Sequence, residues 1–121
     1  MYLFSVAAVQ QLVLIGLHAE PDTAVEEMEA LMDVHTAVER LWNTDDILIM
    51  GDLNADCRYA SARARNRLRL RTDRRFSWLI DDEVDTTTTN TDCAYDRCVL
   101  TRRPLVQATL SVIFIITSAI T

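Results

Sequence analysis

Apolar residues follow two different periods along the 121-residue chain. Residues 12–17, LVLIGL, form a continuous apolar run rich in branched side chains, which favours a buried strand over a helix. Residues 47–50 form a second such run, which stops at Gly51. Between them, apolar positions recur at helical intervals after a Thr23–Glu26 pair with the spacing of a capping box. The pattern therefore predicts a strand, a helix over about residues 24–42, and a second strand.

The remaining predicted elements are shorter. FSWLI at residues 76–80 fits a short helix or a strand, residues 81–92 a polar loop, and residues 93–100 a third strand. Strands that alternate with a helix predict a layered α/β (or α+β) fold. In α/β sheets, polar groups at the carboxyl ends of strands are the usual location of chemistry. His18 and Asp52, at the ends of the first two strands, are therefore the first candidate site residues.

Composition excludes several classes of protein. Half of the residues are hydrophobic and a quarter are charged, which excludes a disordered or low-complexity chain. Three cysteines are too few for a disulfide-dense mini-protein, and their spacing is not that of a zinc site. The formal net charge of −6 gives no overall basic footprint for nucleic acid.

The charges are nevertheless divided unevenly along the chain. Residues 20–46 contain nine acidic side chains, whereas residues 58–75 contain eight arginines. Five of these arginines are spaced by two, so they share one face if the backbone is extended: Arg63, Arg65, Arg67, Arg69 and Arg71. Two interpretations follow. The arginines form a face that meets a polyanion, or they pair with carboxylates within the fold.

Four short motifs carry residues suited to phosphate chemistry. An imidazole such as that of His18 suits proton transfer near neutral pH. A carboxylate can hold a hard divalent cation or orient a histidine, and an asparagine amide can donate to a phosphate oxygen without adding charge. These groups occur in Leu17-His18, in GDLN at residues 51–54, in the Asp/Thr loop and in CAYDR at residues 93–97.

In this order and spacing, the motifs resemble the deoxyribonuclease I family, within the metal-dependent endonuclease/exonuclease/phosphatase folds. The resemblance is carried by GDLNADC at residues 51–57, by RLRT and FSWLI at 69–72 and 76–80, and most specifically by DTTTTNTDCAYDR at 85–97. It covers roughly residues 12–100. It implies part of a four-layered α/β sandwich that nicks double-stranded DNA by phosphodiester hydrolysis, using Mg²⁺ or Mn²⁺ for catalysis and Ca²⁺ for structure.

The resemblance also implies roles for individual residues. His18 and Asp96 match catalytic residues, and Asp52 and Asn54 match a metal- and phosphate-contacting pair. Tyr95 is expected near the scissile phosphate. A calcium-binding loop is implied for Asp85, Thr87, Thr89 and Thr91. Cys57 and Cys93 match a structural disulfide, which implies an oxidising, secretory compartment, with the nucleus as the alternative.

Departures from the family weaken the expectation of activity. Asp96 matches the partner of a second catalytic histidine, but no histidine follows it, and His35 lies on the helix, where we expect a core-edge role. Asp96 is therefore expected without an imidazole to orient, and His18 without a carboxylate from the place where the family supplies it. Because loss of one member of a catalytic unit costs orders of magnitude in rate, we expect this chain to be a poor nuclease. The alternative is a non-catalytic fragment that binds calcium, DNA or membrane.

The two ends are expected to lie outside the family domain. Residues 1–11 form a divergent segment without a clear signal peptide, and residues 101–121 form a hydrophobic tail. The uncharged residues 105–121 are fewer than the roughly 20 that span a bilayer, so membrane association is one alternative, and a β-branched strand is another. Half a sandwich leaves an apolar sheet face uncovered, which predicts self-association.

Overall fold

Strands and helices alternate in the computed structural model, which describes residues 3–5, 10–101 and 110–118. The elements, in chain order, are β1 (Leu3–Ser5), β2 (Gln10–His18), α1 (Ala24–Trp42), β3 (Ile47–Asp52), α2 (Ala62–Arg65), α3 (Arg69–Thr72), β4 (Phe76–Trp78), β5 (Asp96–Thr101) and β6 (Leu110–Ser118). A 3₁₀ turn at Pro21–Thr23 precedes α1. The predicted mixed α/β class is confirmed, and FSWLI starts as a strand.

The described strands form one mixed sheet in the order β1-β6-β2-β3-β5-β4. β2 and β3 are parallel and are joined by α1, which is the usual crossover between parallel neighbours. β5 lies antiparallel to β3, and β4 lies antiparallel to β5. β5 begins at Asp96 rather than at the predicted Cys93, because Ala94 N–H donates to the Asp56 carboxylate instead of to a strand.

Helix α1 packs its apolar stripe on one face of the sheet. The buried core includes Val13, Ile15, Met28, Leu31, Val38, Ile47, Ile49 and Val99. His35 lies fully inside this core rather than at its edge, and its Nε2 is 2.9 Å from the Thr101 hydroxyl. The Thr101 hydroxyl in turn donates to the Ile47 carbonyl, so Nε2 acts as the donor.

The predicted capping box between Thr23 and Glu26 is wrong, because Thr23 bonds a different acidic residue. The Thr23 side chain does not cap α1. Instead, the Glu27 carboxylate, one residue later than predicted, accepts from Glu20 N–H at 2.9 Å and from the Thr23 hydroxyl at 3.2 Å. The acidic side chain therefore ties the entering chain to the first turn of the helix, where negative charge is favoured by the helix dipole.

The extended backbone considered for the arginine segment is also wrong. Residues 62–65 and 69–72 form short helices, and three of their four arginines, Arg65, Arg69 and Arg71, pair with carboxylates. Arg65 is buried and bonds the Asp56 carboxylate at 2.8 Å, while Arg69 bonds Glu29 and Asp33 of α1. Arg69 therefore joins the basic segment to the acidic helix α1, and the second interpretation of the charge pattern is confirmed for the paired arginines.

The sheet face opposite α1 is apolar and partly exposed. Side chains alternate along β3 and β5, so Leu48, Met50, Cys98 and Leu100 point away from the buried core. Met50 is 38% exposed. The predicted self-association through an uncovered sheet face stays a prediction that rests on this surface.

The hydrophobic tail contributes a strand. β6 pairs in parallel with the whole of β2, from Gln10↔Leu110 to His18↔Ser118, and β1 pairs with β6. Within the described ranges, no helix is long and apolar enough to cross a membrane. Residues 1–2, 6–9, 102–109 and 119–121 lie outside the described residues, so the limits predicted for the two end segments stay predictions.

Candidate functional site

Three adjacent strands bring polar side chains to one edge of the sheet. β2 ends at His18 and the parallel strand β3 ends at Asp52. β5 runs antiparallel to β3 and starts at Asp96, directly opposite Asp52 in the register. The ends of parallel strands and the start of an antiparallel strand meet at the same edge of a sheet. The strand pairing alone therefore brings the predicted site residues together.

Gly51 allows β3 to end this close to β2. Its φ is +144°, and a β-carbon at this position would lie 2.0 Å from the Leu17 carbonyl oxygen. The strand ends are joined by a hydrogen bond from Ala19 N–H to the Asp52 carbonyl at 2.9 Å. As a result, His18 Nε2 lies 3.7 Å from Asp52 Oδ2, with His18 largely exposed to solvent.

Asn54 is buried directly behind Asp52. Its φ of +47° lies in the left-handed region, which asparagine tolerates well. Its backbone N–H donates to Asp52 Oδ1 at 3.1 Å, and its amide Nδ2 donates to the Ala19 carbonyl at 2.8 Å. These bonds fix the amide and leave its second N–H to reach a ligand.

Asp96 shares its surroundings with Asp52 and His18. Burial raises the pKa of the Asp96 carboxyl, and the neighbouring Asp52 charge raises this pKa further, while a Thr86 hydrogen bond and His18 act in the opposite direction. His18 is therefore close enough to influence Asp96. The expectations that Asp96 lacks the family's second catalytic histidine, and that His18 lacks a carboxylate from the place where the family supplies it, stay predictions.

The oxygen atoms at this edge suit a hard cation. Among the described residues, no group of three His, Cys, Asp or Glu side chains is placed to hold a metal ion. Mg²⁺, however, is usually bound by one or two carboxylates together with waters and substrate phosphates. Asp52 and Asp96 lie opposite one another in the β3–β5 register, so a cation bound by both would reduce the repulsion between their charges. The residues present therefore fit a partly substrate-held Mg²⁺ or Mn²⁺.

The Asp/Thr loop gathers its oxygen atoms around Asp85. The Asp85 carboxylate accepts from Thr87 N–H at 2.9 Å and from the Thr87 hydroxyl at 2.6 Å, which lowers the pKa of Asp85. The same hydroxyl oxygen lies 2.5 Å from the Thr91 carbonyl, and the Thr89 and Thr91 hydroxyls are 2.7 Å apart. The four residues predicted to bind calcium thus lie together in one turn of the loop.

The predicted disulfide is confirmed: Cys57 and Cys93 are bonded and their Cα atoms are 6.0 Å apart. The bond joins the segment after β3 to the segment before β5. Asp56 adds a second link, since its carboxylate accepts from Cys57 N–H and from Ala94 N–H. Both segments that carry site residues are therefore held together independently of the sheet.

Sequence reasoning missed Arg97, which has a fully buried side chain. Its guanidinium donates to the carbonyls of Ala55, Ile80 and Ala94 at 2.9–3.0 Å and pairs with Asp82 at 2.8 Å. The alternation of side chains along β5 could have identified it, because Arg97 lies two residues before the buried Val99 and so shares its face of the strand. Arg97 thus connects the backbones on both sides of the site.

An open cleft of about 810 Å³ runs from the sheet edge to the Asp/Thr loop. Asp52, Asn54, Thr89, Thr91 and Tyr95 are among the residues that line it. The cleft therefore connects the predicted metal- and phosphate-contacting pair with the predicted calcium loop and with Tyr95.

Comparisons with known proteins agree with the motifs. The family model described as "Endonuclease/Exonuclease/phosphatase family" matches residues 2–116. The chain is 54% identical over 93 residues to mouse deoxyribonuclease-1-like 2, covering 77% of this chain and 34% of that protein. It is 45% identical over 102 residues to mouse deoxyribonuclease gamma (84% and 33%), and 45% identical over 92 residues to bovine deoxyribonuclease-1 (76% and 33%). The matches thus span about a third of the length of these curated relatives.

Proposed function

Because the chain belongs to the deoxyribonuclease I family, within the endonuclease/exonuclease/phosphatase proteins, we propose that it carries part of a metal-dependent site for the hydrolysis of DNA phosphodiester bonds. One observation carries the proposal: Asp52 and Asn54 line an open cleft, and His18 and Asp96 lie beside Asp52 on the two neighbouring strands. An imidazole, two carboxylates and a neutral amide donor are together the groups that phosphoryl-transfer chemistry needs.

Each residue has a distinct part in the proposed reaction. His18 Nε2 exchanges a proton with the attacking water or the leaving oxygen, and Asp52, 3.7 Å away, stabilises the imidazolium. The free amide N–H of Asn54 donates to a phosphate oxygen. Asp52 and Asp96 would hold Mg²⁺ or Mn²⁺, which supplies Lewis-acid stabilisation of the negative charge on phosphate. Tyr95 borders the bound phosphate from the same cleft.

The Asp/Thr loop is proposed to bind a structural Ca²⁺. The observation that supports this is the crowding of oxygen atoms: the Thr87 hydroxyl has one proton but contacts both the Asp85 carboxylate and the Thr91 carbonyl. A hard cation among Asp85, Thr87, Thr89 and Thr91 would balance these oxygens. The disulfide between Cys57 and Cys93 supports a secreted location, since such bonds persist in oxidising compartments.

The four-layered sandwich is proposed for the architecture of the family domain. The described strands form one sheet, and its face opposite α1 carries partly exposed apolar side chains such as Leu48 and Met50. In a sandwich, a second sheet packs on such a face at about 10 Å. The same surface would drive self-association where nothing else covers it.

A second candidate is a chain that binds DNA without efficient cleavage. The observation that favours it is the number of imidazoles: the chain has two, and His35 is fully buried in the core, which leaves His18 alone at the sheet edge. Because catalytic groups that act as a unit lose most of their effect when one is absent, we expect nicking by this chain to be close to background.

Plasmid nicking together with duplex binding tests both candidates. Folded wild-type chain and a His18→Ala variant would be incubated with supercoiled plasmid, Mg²⁺ and Ca²⁺, with EDTA as a further control. Since His18 is largely exposed, the substitution is expected to leave the fold intact. Nicking that disappears in both controls would establish catalysis and reject the binding-only candidate. A folded chain that neither nicks plasmid nor binds duplex DNA would contradict the proposed function.

A further inference from the structure

Arg58 differs from the four arginines of the basic segment that form ion pairs. Ion pairs within the fold engage Arg65, Arg69, Arg71 and Arg75. Arg58 is exposed and has no carboxylate within 4.0 Å among the residues that the structure describes. Its positive charge is therefore still available to an external anion, whereas the charges of the paired arginines are already compensated.

Arg58 also lies in the cleft that contains the candidate site. It lines this cavity together with Asp52 and Asn54, and it is the basic residue among the described lining residues. Asp92 also borders the cleft, so its walls carry two carboxylates. A polyanion entering this cleft needs a compensating positive charge from the protein, and Arg58 is placed to supply it.

Neighbouring aromatic rings hold the Arg58 guanidinium in place. Its Cζ lies 5.0 Å from the centroid of the Tyr59 ring, and its Nη2 donates to the Tyr59 hydroxyl at 2.9 Å. Tyr59 is half-buried against the core and its ring is 5.7 Å from that of Tyr95. Arg58 thus keeps most of its N–H donors free while its position along the cleft wall is set by Tyr59.

We propose that Arg58 binds a phosphate of the DNA backbone next to the one held at Asp52 and Asn54, and so fixes the register of the strand in the cleft. This inference rests on the proposed function. A guanidinium suits the task because its planar fork can donate two parallel hydrogen bonds to phosphate oxygens. The contact is made to the backbone, so it adds affinity without base specificity.

The inference predicts a change in the salt dependence of binding. Removal of one phosphate contact lowers the slope of log K against log salt by about 0.9. We expect Arg58→Ala to weaken duplex binding roughly three- to tenfold in low salt, to a similar extent for unrelated sequences. Arg58→Lys should retain most of the slope, because it keeps the charge, but should bind more weakly than wild type, because it loses the fork.

Arg63 provides the matched control. It is exposed on α2, has no carboxylate within 4.0 Å among the described residues, and does not line the cleft. Binding of a fluorescent duplex of about 20 base pairs would be measured in Ca²⁺ from low to high salt for wild type, Arg58→Ala, Arg58→Lys and Arg63→Ala. Gel analysis after each titration confirms that the duplex is intact, and circular dichroism confirms folding.

The outcomes separate this inference from the proposed function. A lower slope for Arg58→Ala, with Arg63→Ala close to wild type, supports the contact. If wild type binds duplex DNA but Arg58→Ala and Arg63→Ala have the same affinity and slope, the Arg58 contact is overturned and the proposed function stands. If folded wild type does not bind duplex DNA, the proposed function itself fails, and the contact fails with it.

Discussion

Replacing Gly51 with alanine tests the origin of the site geometry. The added β-carbon would lie 2.0 Å from the Leu17 carbonyl oxygen, which is well inside van der Waals contact. The obstacle is backbone, and it belongs to a strand that is bonded to β3 on one side and to β6 on the other. It therefore cannot rotate away as a side chain would. The φ of +144° adds strain for any residue with a β-carbon.

The two contributions give the expected magnitude. An unfavourable backbone conformation costs about 1–3 kcal/mol, and forcing an extra carbon into a packed position costs about 1–3 kcal/mol more. We therefore expect Gly51→Ala to lower the free energy of unfolding by roughly 2–6 kcal/mol. That loss is a large part of the 5–15 kcal/mol typical of a whole domain.

Urea unfolding followed by circular dichroism measures this loss. Met50→Leu is the control on the same strand, since Met50 is partly exposed and the swap conserves volume, so we expect a change below about 1.5 kcal/mol. Gly51→Ala within about 1 kcal/mol of wild type, at an unchanged urea slope, would refute the reasoning. It would mean that β2 and β3 can separate at their ends, and that His18 and Asp52 are not held together by this close approach.

Further predictions concern the disulfide, the arginine network, the buried histidine and the exposed sheet face. Replacing Cys57 with alanine opens a 36-residue loop and should lower the free energy of unfolding, measured by thermal unfolding, by about 3–4 kcal/mol. The wild-type chain should lose a similar amount of stability when reductant is added. Asp82→Asn removes the carboxylate that three arginines share, Arg97 among them. We expect it to lower the free energy of unfolding in urea by roughly 2–4 kcal/mol, and the exposed Asp81→Asn to lower it by under about 0.5 kcal/mol. Burial lowers the pKa of His35 below its ordinary 6.5, so the unfolded chain binds the proton first. Stability should therefore fall as the pH drops below 6.5 and continue to fall until the folded pKa is reached, and urea midpoints for His35→Leu should show less of this decline. Light scattering should show that the wild-type chain forms oligomers and that the Met50→Lys variant forms fewer of them. If the wild-type chain is as monomeric as the variant, association through this face is rejected.

Elements with a strong period were predictable from the sequence. The helix over 24–42 agrees with α1 at both ends, and the two apolar runs became the parallel strands β2 and β3. In each case burial of one face or of the whole element decides the structure, and burial is what the apolar pattern records. The sequence does not decide between helix and strand for the short β4, because five residues contain too little of either period.

The arginine segment was not predictable from spacing alone. Alternating Arg residues suggested a strand, yet Leu68 and Leu70 are both buried, and short helices place them against α1 while the arginines reach carboxylates. The partners that decide the structure, Glu29 and Asp33, lie about 40 residues away in the chain. Local periodicity contains no information on such pairs, so tertiary contacts override it.

The same limit applies to the arrangement of the site residues. That His18 and Asp52 would share a sheet edge followed from two strand ends, because parallel strands align their carboxyl ends. The place of Asp96 depended on β5 running antiparallel beside β3, with Asp96 opposite Asp52, and a strand's direction and register are set by its neighbours. Once that register is known, His18 and Asp96 lie at the same sheet edge on the two strands that flank Asp52. The Asp52–Asp96 pair beside His18 is therefore a property of the sheet, and substitutions that shift the β3–β5 register should disturb all three groups together.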